Sequence, residues 1–133
     1  MDEFVPKHRL LLVSVAQGIK HRSLYDAARY AWPINRARAE RIELVLACVH
    51  SEVKAVYAAT EWLNASTRKD TEENFSDLLV ANPDFVPAHS GNRQRLGFRG
   101  EVADEEANRR YAGKRVPDKL KIGQNGFRYS GPD

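Results

Sequence analysis

The chain predicts an α+β domain on a mixed, mostly antiparallel sheet, and three stretches carry that expectation. Residues 8–16 (HRLLLVSVA) are apolar almost throughout, as a central strand would be. Residues 43–62 hold two Val- and Ala-rich arms around a short polar turn, His50-Ser51-Glu52, which is the pattern of a β-hairpin. Between them, residues 23–42 switch to helical spacing. The full order reads strand, helix, helix, strand, strand, excursion, strand, helix, strand. Closing such a sheet into a small barrel would remove its exposed edges.

Each element has a local reason. Ser23 occupies an N-cap position with Asp26 three residues on, and Leu24, Ala27, Ala28 and Ala31 form an apolar stripe. That arrangement leaves Asp26, Arg29 and Tyr30 toward the rim. Pro33 ends this helix and suits the first turn of a second one, Ile34 to about Ile42, with Trp32 at the corner as a plug between the two. From about residue 63 to 92 the chain is rich in Asn, Ser, Thr, Asp and Pro, apart from a short helix around Glu72 to Val80. Thirty residues is long for a structureless loop, so a partly ordered acidic excursion or lid is expected. Leu96 to Val102 alternates, with Leu96, Phe98 and Val102 on one face and Arg99 and Glu101 on the other. Asp104 caps a helix that stops at Gly113. Asn125-Gly126 makes a tight turn before a last strand, Phe127-Arg128-Tyr129.

Composition narrows the classes. A chain of 133 residues is the size of one domain, so residues 1–133 are read as a single domain. At 42% hydrophobic and 29% charged it is ordinary globular material. The longest apolar run, Leu44 to Val49, is far short of the roughly 20 residues of a membrane span. The first residues lack a basic start followed by an apolar core, so no signal peptide is expected. The single cysteine, Cys48, excludes an internal disulfide or a thiolate cluster and fits a small core residue. A cytoplasmic location follows by exclusion. Charge is uneven: residues 1–60 carry nine Lys/Arg against six Asp/Glu, residues 61–90 two against six, and residues 91–133 ten against six. The basic ends can face an anionic partner, and the acidic middle a basic one.

Catalytic signatures are sparse. The four histidines, His8, His21, His50 and His89, are scattered, and no zinc helix, phosphate-binding glycine loop or nucleophile elbow is present. Neither a metal site nor a cofactor is expected from motifs. Glu52-Val53-Lys54 matches half of a metal-dependent nuclease site that Asp26 or Glu43 would have to complete. The basic–aromatic set is richer. Arg29, Arg36, Arg38 and Arg41 lie on the helical pair, Arg99 faces outward on a glycine-flanked strand, and Lys114 and Arg115 follow Gly113. Arginine favours planar, bidentate contact with phosphate or a base edge, and Tyr25, Tyr30 and Trp32 offer stacking faces. The same arginines also suit local roles: Arg29 sits three from Asp26, Arg36 four from Glu40, and Arg38 and Arg41 can lay their stems over the core.

Three blocks together resemble a small family of uncharacterised bacterial proteins. They are Leu24-Tyr25-Asp26-Ala27-Ala28-Arg29 with Trp32, Ile34-Asn35 and Arg38-Ala39; Leu46-Ala47 through Val53-Lys54-Ala55-Val56-Tyr57 to Trp62; and Gly97-Phe98, Gly100-Glu101-Val102-Ala103, Tyr111, Gly113-Lys114 and Val116-Pro117, ending in Phe127-Arg128-Tyr129. The resemblance covers nearly the whole chain and implies a shared fold without an activity. Members often have Gly where this chain has Ser51-Glu52, which weakens Glu52 as a family-wide catalytic residue, and Pro where it has Gly126. In strand–helix order the chain is also similar to PUA-like barrels, which read RNA or modified bases.

The leading expectation is therefore a nucleic-acid-binding module for RNA or DNA. Arg29, Arg36, Arg38, Arg99, Lys114 and Arg115 would surround a shallow pocket edged by Tyr25 and Trp32. The alternatives are a metal-dependent nuclease or small hydrolase built on Glu52 and Lys54, and a protein-interaction subunit acting through residues 61–90.

Overall fold

The computed structural model describes residues 2–85 and 94–131. Five strands, β1 (Leu10–Ser14), β2 (Leu44–Val49), β3 (Glu52–Asn64), β4 (Leu96–Val102) and β5 (Phe127–Ser130), form one sheet in the order β4-β3-β2-β1-β5. Only β1 and β2 are parallel, and the other three pairings are antiparallel. The fold is thus α+β on a mixed, mostly antiparallel sheet. The lone parallel pair requires a crossover, supplied by α1 (Leu24–Arg29) and α2 (Arg36–Ala39).

β1 up to Val13 and all of β2 are apolar because both of their faces are covered. Leu10, Leu12, Leu44, Leu46 and Cys48 pack on one side with Tyr111 of α5 (Glu105–Tyr111). Leu11, Val13, Val45 and Ala47 pack on the other with Ala27, Ala28, Ile34 and Ala39 of the crossover. The β2–β3 hairpin turns through two residues, His50 and Ser51, both left-handed at φ 48° and 70°. The right-handed twist of the flanking strands favours such a turn. Two register shifts, one opposite Ala47/Cys48 of β2 and one between Ala59 and Glu61, bend the long β3. At the second shift the Thr60 hydroxyl donates to the Arg99 carbonyl, 2.9 Å.

The sheet is open, not a closed barrel: β4 and β5 are its two edges. What lies between them is Trp32. Its backbone exchanges two hydrogen bonds with Leu96 at the start of β4, 2.8 and 2.9 Å. Its ring reaches Gly126 just before β5, where an added Cβ would sit 3.5 Å away. Trp32 thus reaches from the start of β4 to the turn before β5.

Three local expectations change. Ser23 does cap α1, accepting from the Asp26 N–H, but Asp26, Arg29 and Tyr30 are buried rather than at the rim. The expected lid is the reason. It contains α3 (Arg68–Asn74), closed by a Thr67–Asp70 capping box, and α4 (Ser76–Ala81), and Phe75 and Leu78 form a third apolar cluster with Tyr30. Residues 86–92 of that segment lie outside the described residues. The second helix is one turn long, because the Asn35 side chain, rather than Pro33, provides its start by accepting from the Arg38 N–H. Val102, expected on the buried face of β4, is exposed at the sheet's edge.

Replacing Ser51 with Gly removes the steric cost of a left-handed non-glycine residue. Ser51→Gly is therefore expected to stabilise the fold by about 1 kcal/mol, read as a higher urea midpoint at unchanged slope.

Candidate anion-binding cleft

The eight residues singled out by the sequence do not share one pocket. Arg29 is 1% exposed. Its Nε donates to Asp26 at 3.0 Å and its Nη2 to Asp77 at 2.8 Å, while its guanidinium lies over the rings of Tyr25 and Phe75. Tyr25 packs beside Tyr57, and its hydroxyl accepts from the Gly100 N–H. Trp32 donates its indole N–H to the Ala28 carbonyl, 2.8 Å, as a plug would. Arg36 ignores Glu40 and donates to the Trp62 carbonyl and Asn64. Arg99 donates to the Asn74 carbonyl and faces Glu61 at 3.8 Å. Arg115 pairs with Glu3 at 3.0 Å. Lys114 is half-buried, and its carbonyl accepts from Val53.

Arg38 is different. Its guanidinium sits 3.9 Å from the centre of the Tyr129 ring, and it makes no hydrogen bond or ion pair to a carboxylate among the described residues. It lines a cleft of about 320 Å³ with Arg9, Arg41, Tyr129, Ser130 and Gly131. The parallel register explains why these meet. Leu10 pairs with Leu44, so the residues just before β1 and just before β2 emerge at one end of the sheet, and Ser130 of β5 is opposite Leu10. Arg9 is steered by Glu43, which accepts from the Arg9 N–H at 2.9 Å and lies 3.9 Å from its guanidinium; Arg9 Nε also donates to the Arg41 carbonyl. Among the described residues three guanidiniums thus border one cleft, with a single carboxylate against one of them. Burial raises the Tyr129 phenol and Arg38 pulls it partly back. Arg41 belongs to the basic set read from the sequence; Arg9 and Tyr129 were not singled out, and only the β1–β2–β5 register brings them in.

The nuclease pattern does not assemble. Glu52 is ion-paired with Lys54 at the hairpin, 2.9 Å. Glu43 is at the opposite end of β2, about 20 Å along the strand, and Asp26 is engaged by Arg29. Among the described residues no group of three His, Cys, Asp or Glu side chains is placed to hold a metal. His8 bonds to the Tyr111 hydroxyl at 2.7 Å; His89 lies outside the described residues. Much of the acidic charge of residues 61–90 is matched internally. Asp77 binds Arg29, Glu72 and Glu73 pair with Arg68 and Lys69, and Asp70 closes the capping box. Cys48 is a buried core residue whose thiol burial pushes up to about 12.

Two outcomes follow. Arg29→Met leaves Asp26 buried without its cation and is expected to cost about 3–5 kcal/mol, whereas Arg38→Ala loses one exposed cation–π contact and about 1 kcal/mol or less; urea melts compare the two. The Cys48 thiol stays neutral in the fold but ionises in the unfolded chain near 9.0. Its contribution to stability is complete below that pH and is lost as pH rises toward about 12. Thermal melts are expected to show a falling midpoint across that window, and Cys48→Ala a shallower fall.

No family model, no curated protein and no solved structure matches the chain, so its own side chains must carry the functional reading.

Proposed function

We propose that the chain binds a nucleic acid, RNA or DNA, through the cleft of Arg9, Arg38, Arg41 and Tyr129. One observation carries this: the Arg38 guanidinium is stacked on Tyr129 while its neighbours in the same cleft are two further guanidiniums. Stacking fixes the plane of the fork and leaves its N–H groups for an incoming oxyanion, the geometry in which arginine grips phosphate. With one carboxylate against three cations among the described residues, the cleft attracts a polyanion and repels a cation. Backbone phosphates supply affinity and orientation here, and Tyr129 beside Phe127, ring centres 5.9 Å apart, offers an aromatic surface to an unpaired base.

The anion site thus differs from the pocket expected along the helical pair. Arg29, Arg36, Arg99 and Arg115 are held by the protein's own acceptors, and Tyr25 and Trp32 by packing. A cytoplasmic place suits a nucleic-acid ligand. No described helix is long and apolar enough to cross a membrane.

Fluorescence anisotropy with labelled single-stranded and duplex oligonucleotides tests the proposal. Affinity is expected to fall steeply with salt. The double variant Arg38→Ala/Arg41→Ala is expected to bind at least about tenfold more weakly and to flatten the log–log salt slope by about 1.5. The absence of salt-dependent binding, or an unchanged slope in the double variant, rejects the proposal.

A further inference from the structure

A second cavity, of about 420 Å³, opens at the other end of the parallel pair. Ser14 and Cys48, paired across β1 and β2, are near the carboxyl ends of those strands, and both line it. Crevices beyond the carboxyl ends of parallel strands are a recurrent place for ligands in open sheets. The volume falls within the roughly 300–1,000 Å³ of small-molecule sites.

Its chemistry is distinct from that of the arginine cleft. Ser14, His50, Ser51, Lys121 and Gln124 all line it. None of these five side chains hydrogen-bonds or ion-pairs with another described residue. Ser14, His50, Lys121 and Gln124 are exposed and Ser51 is half-buried, so, as with Arg38 in the first cleft, their polar groups are left for solvent or a ligand. Convergent polar groups without an internal partner are what a ligand site requires. The turn that delivers two of them, His50-Ser51, is held in the left-handed region without a glycine.

The lining also selects the ligand. Among the described residues it contains no Asp or Glu, and its one formal charge is that of Lys121, which favours an anion over a cation. Lys121 brings a positive charge, His50, Ser51 and Gln124 bring hydrogen-bond donors, and Ala16, Val116 and Ile122 add an apolar wall. We propose that this cavity binds a small organic anion, whose carboxylate or phosphate headgroup meets Lys121 and His50 and whose flat or apolar body lies on Val116 and Ile122. Separated from the arginine cleft by the length of β1, it is a second site and stands whether or not the chain binds nucleic acid.

Titrating the full chain with benzoate and with phenyl phosphate, followed by amide chemical shifts, tests this and separates the two headgroups, since the bodies are the same. Saturable shifts confined to residues 14–17, 50–51 and 121–126 are expected with at least one probe below about 10 mM. Lys121→Met is expected to weaken that binding about tenfold, the loss of one charge-assisted contact. His50→Asn, which keeps a residue tolerant of the left-handed turn, is expected to weaken it as well. Arg38→Ala should leave it unchanged. Lack of saturation by either probe overturns the proposal, as does full binding in Lys121→Met with a native amide spectrum. Inorganic phosphate binding as tightly as phenyl phosphate would overturn the role given to the apolar wall.

Discussion

The structure turns on one buried cation. Arg29 is enclosed by Asp26 of its own helix, Asp77 of α4 and the rings of Tyr25 and Phe75. A charge at that depth is tolerable only with close partners and stacked faces. Meeting that demand ties three parts of the chain together. The crossover helix is held against the sheet through Tyr25, whose hydroxyl accepts from β4 at Gly100. The segment after β3 is drawn over the crossover through Asp77 and Phe75. Asn82, just past α4, completes the arrangement by donating to the second oxygen of Asp26. Gly97 belongs to the same constraint: a Cβ there would lie 2.5 Å from the Phe75 ring and 2.6 Å from the Arg29 carbonyl, so β4 can approach only as glycine.

That arrangement decides which charges are left for function. Arginine is abundant in this chain, yet most of the arginines that look like ligands in the sequence are structural. Arg36 and Arg99 satisfy carbonyls exposed where β3 and the helical cover meet, and Arg115 fastens the N-terminal segment beside the hairpin. Arg38 and Arg41, whose guanidiniums meet no acceptor among the described residues, lie where the parallel strands begin, and neutral donors with one lysine lie where those strands end. Both clefts therefore owe their place to the same feature, the parallel β1–β2 pair with β5 laid against it.

Several elements were legible from local pattern because their causes are local. Ser23 and Asp104 cap helices through hydrogen bonds spanning three residues. Gly113 and Gly126 take positive φ where a helix stops and a turn closes. The apolar runs of β1 and β2 announced strands buried on both faces. Misreadings arose where a distant segment intervened. Nothing within residues 23–42 announces that α4 will cover Asp26, Arg29 and Tyr30. Nothing around Val102 announces that β4 is an edge.

The strands, their caps and turns and the α+β class were determined by the sequence itself, because hydrophobic period and capping chemistry act over a few residues. The fate of each guanidinium was decided only by tertiary structure. Arg29 meets Asp77 across 48 positions, Arg36 meets the Trp62 carbonyl across 26, and Arg115 meets Glu3 across 112. An arginine's side chain is long enough to find whatever acceptor the fold brings near. Spacing along the chain therefore shows where cations are, and only the packed sheet shows which of them remain available to a ligand.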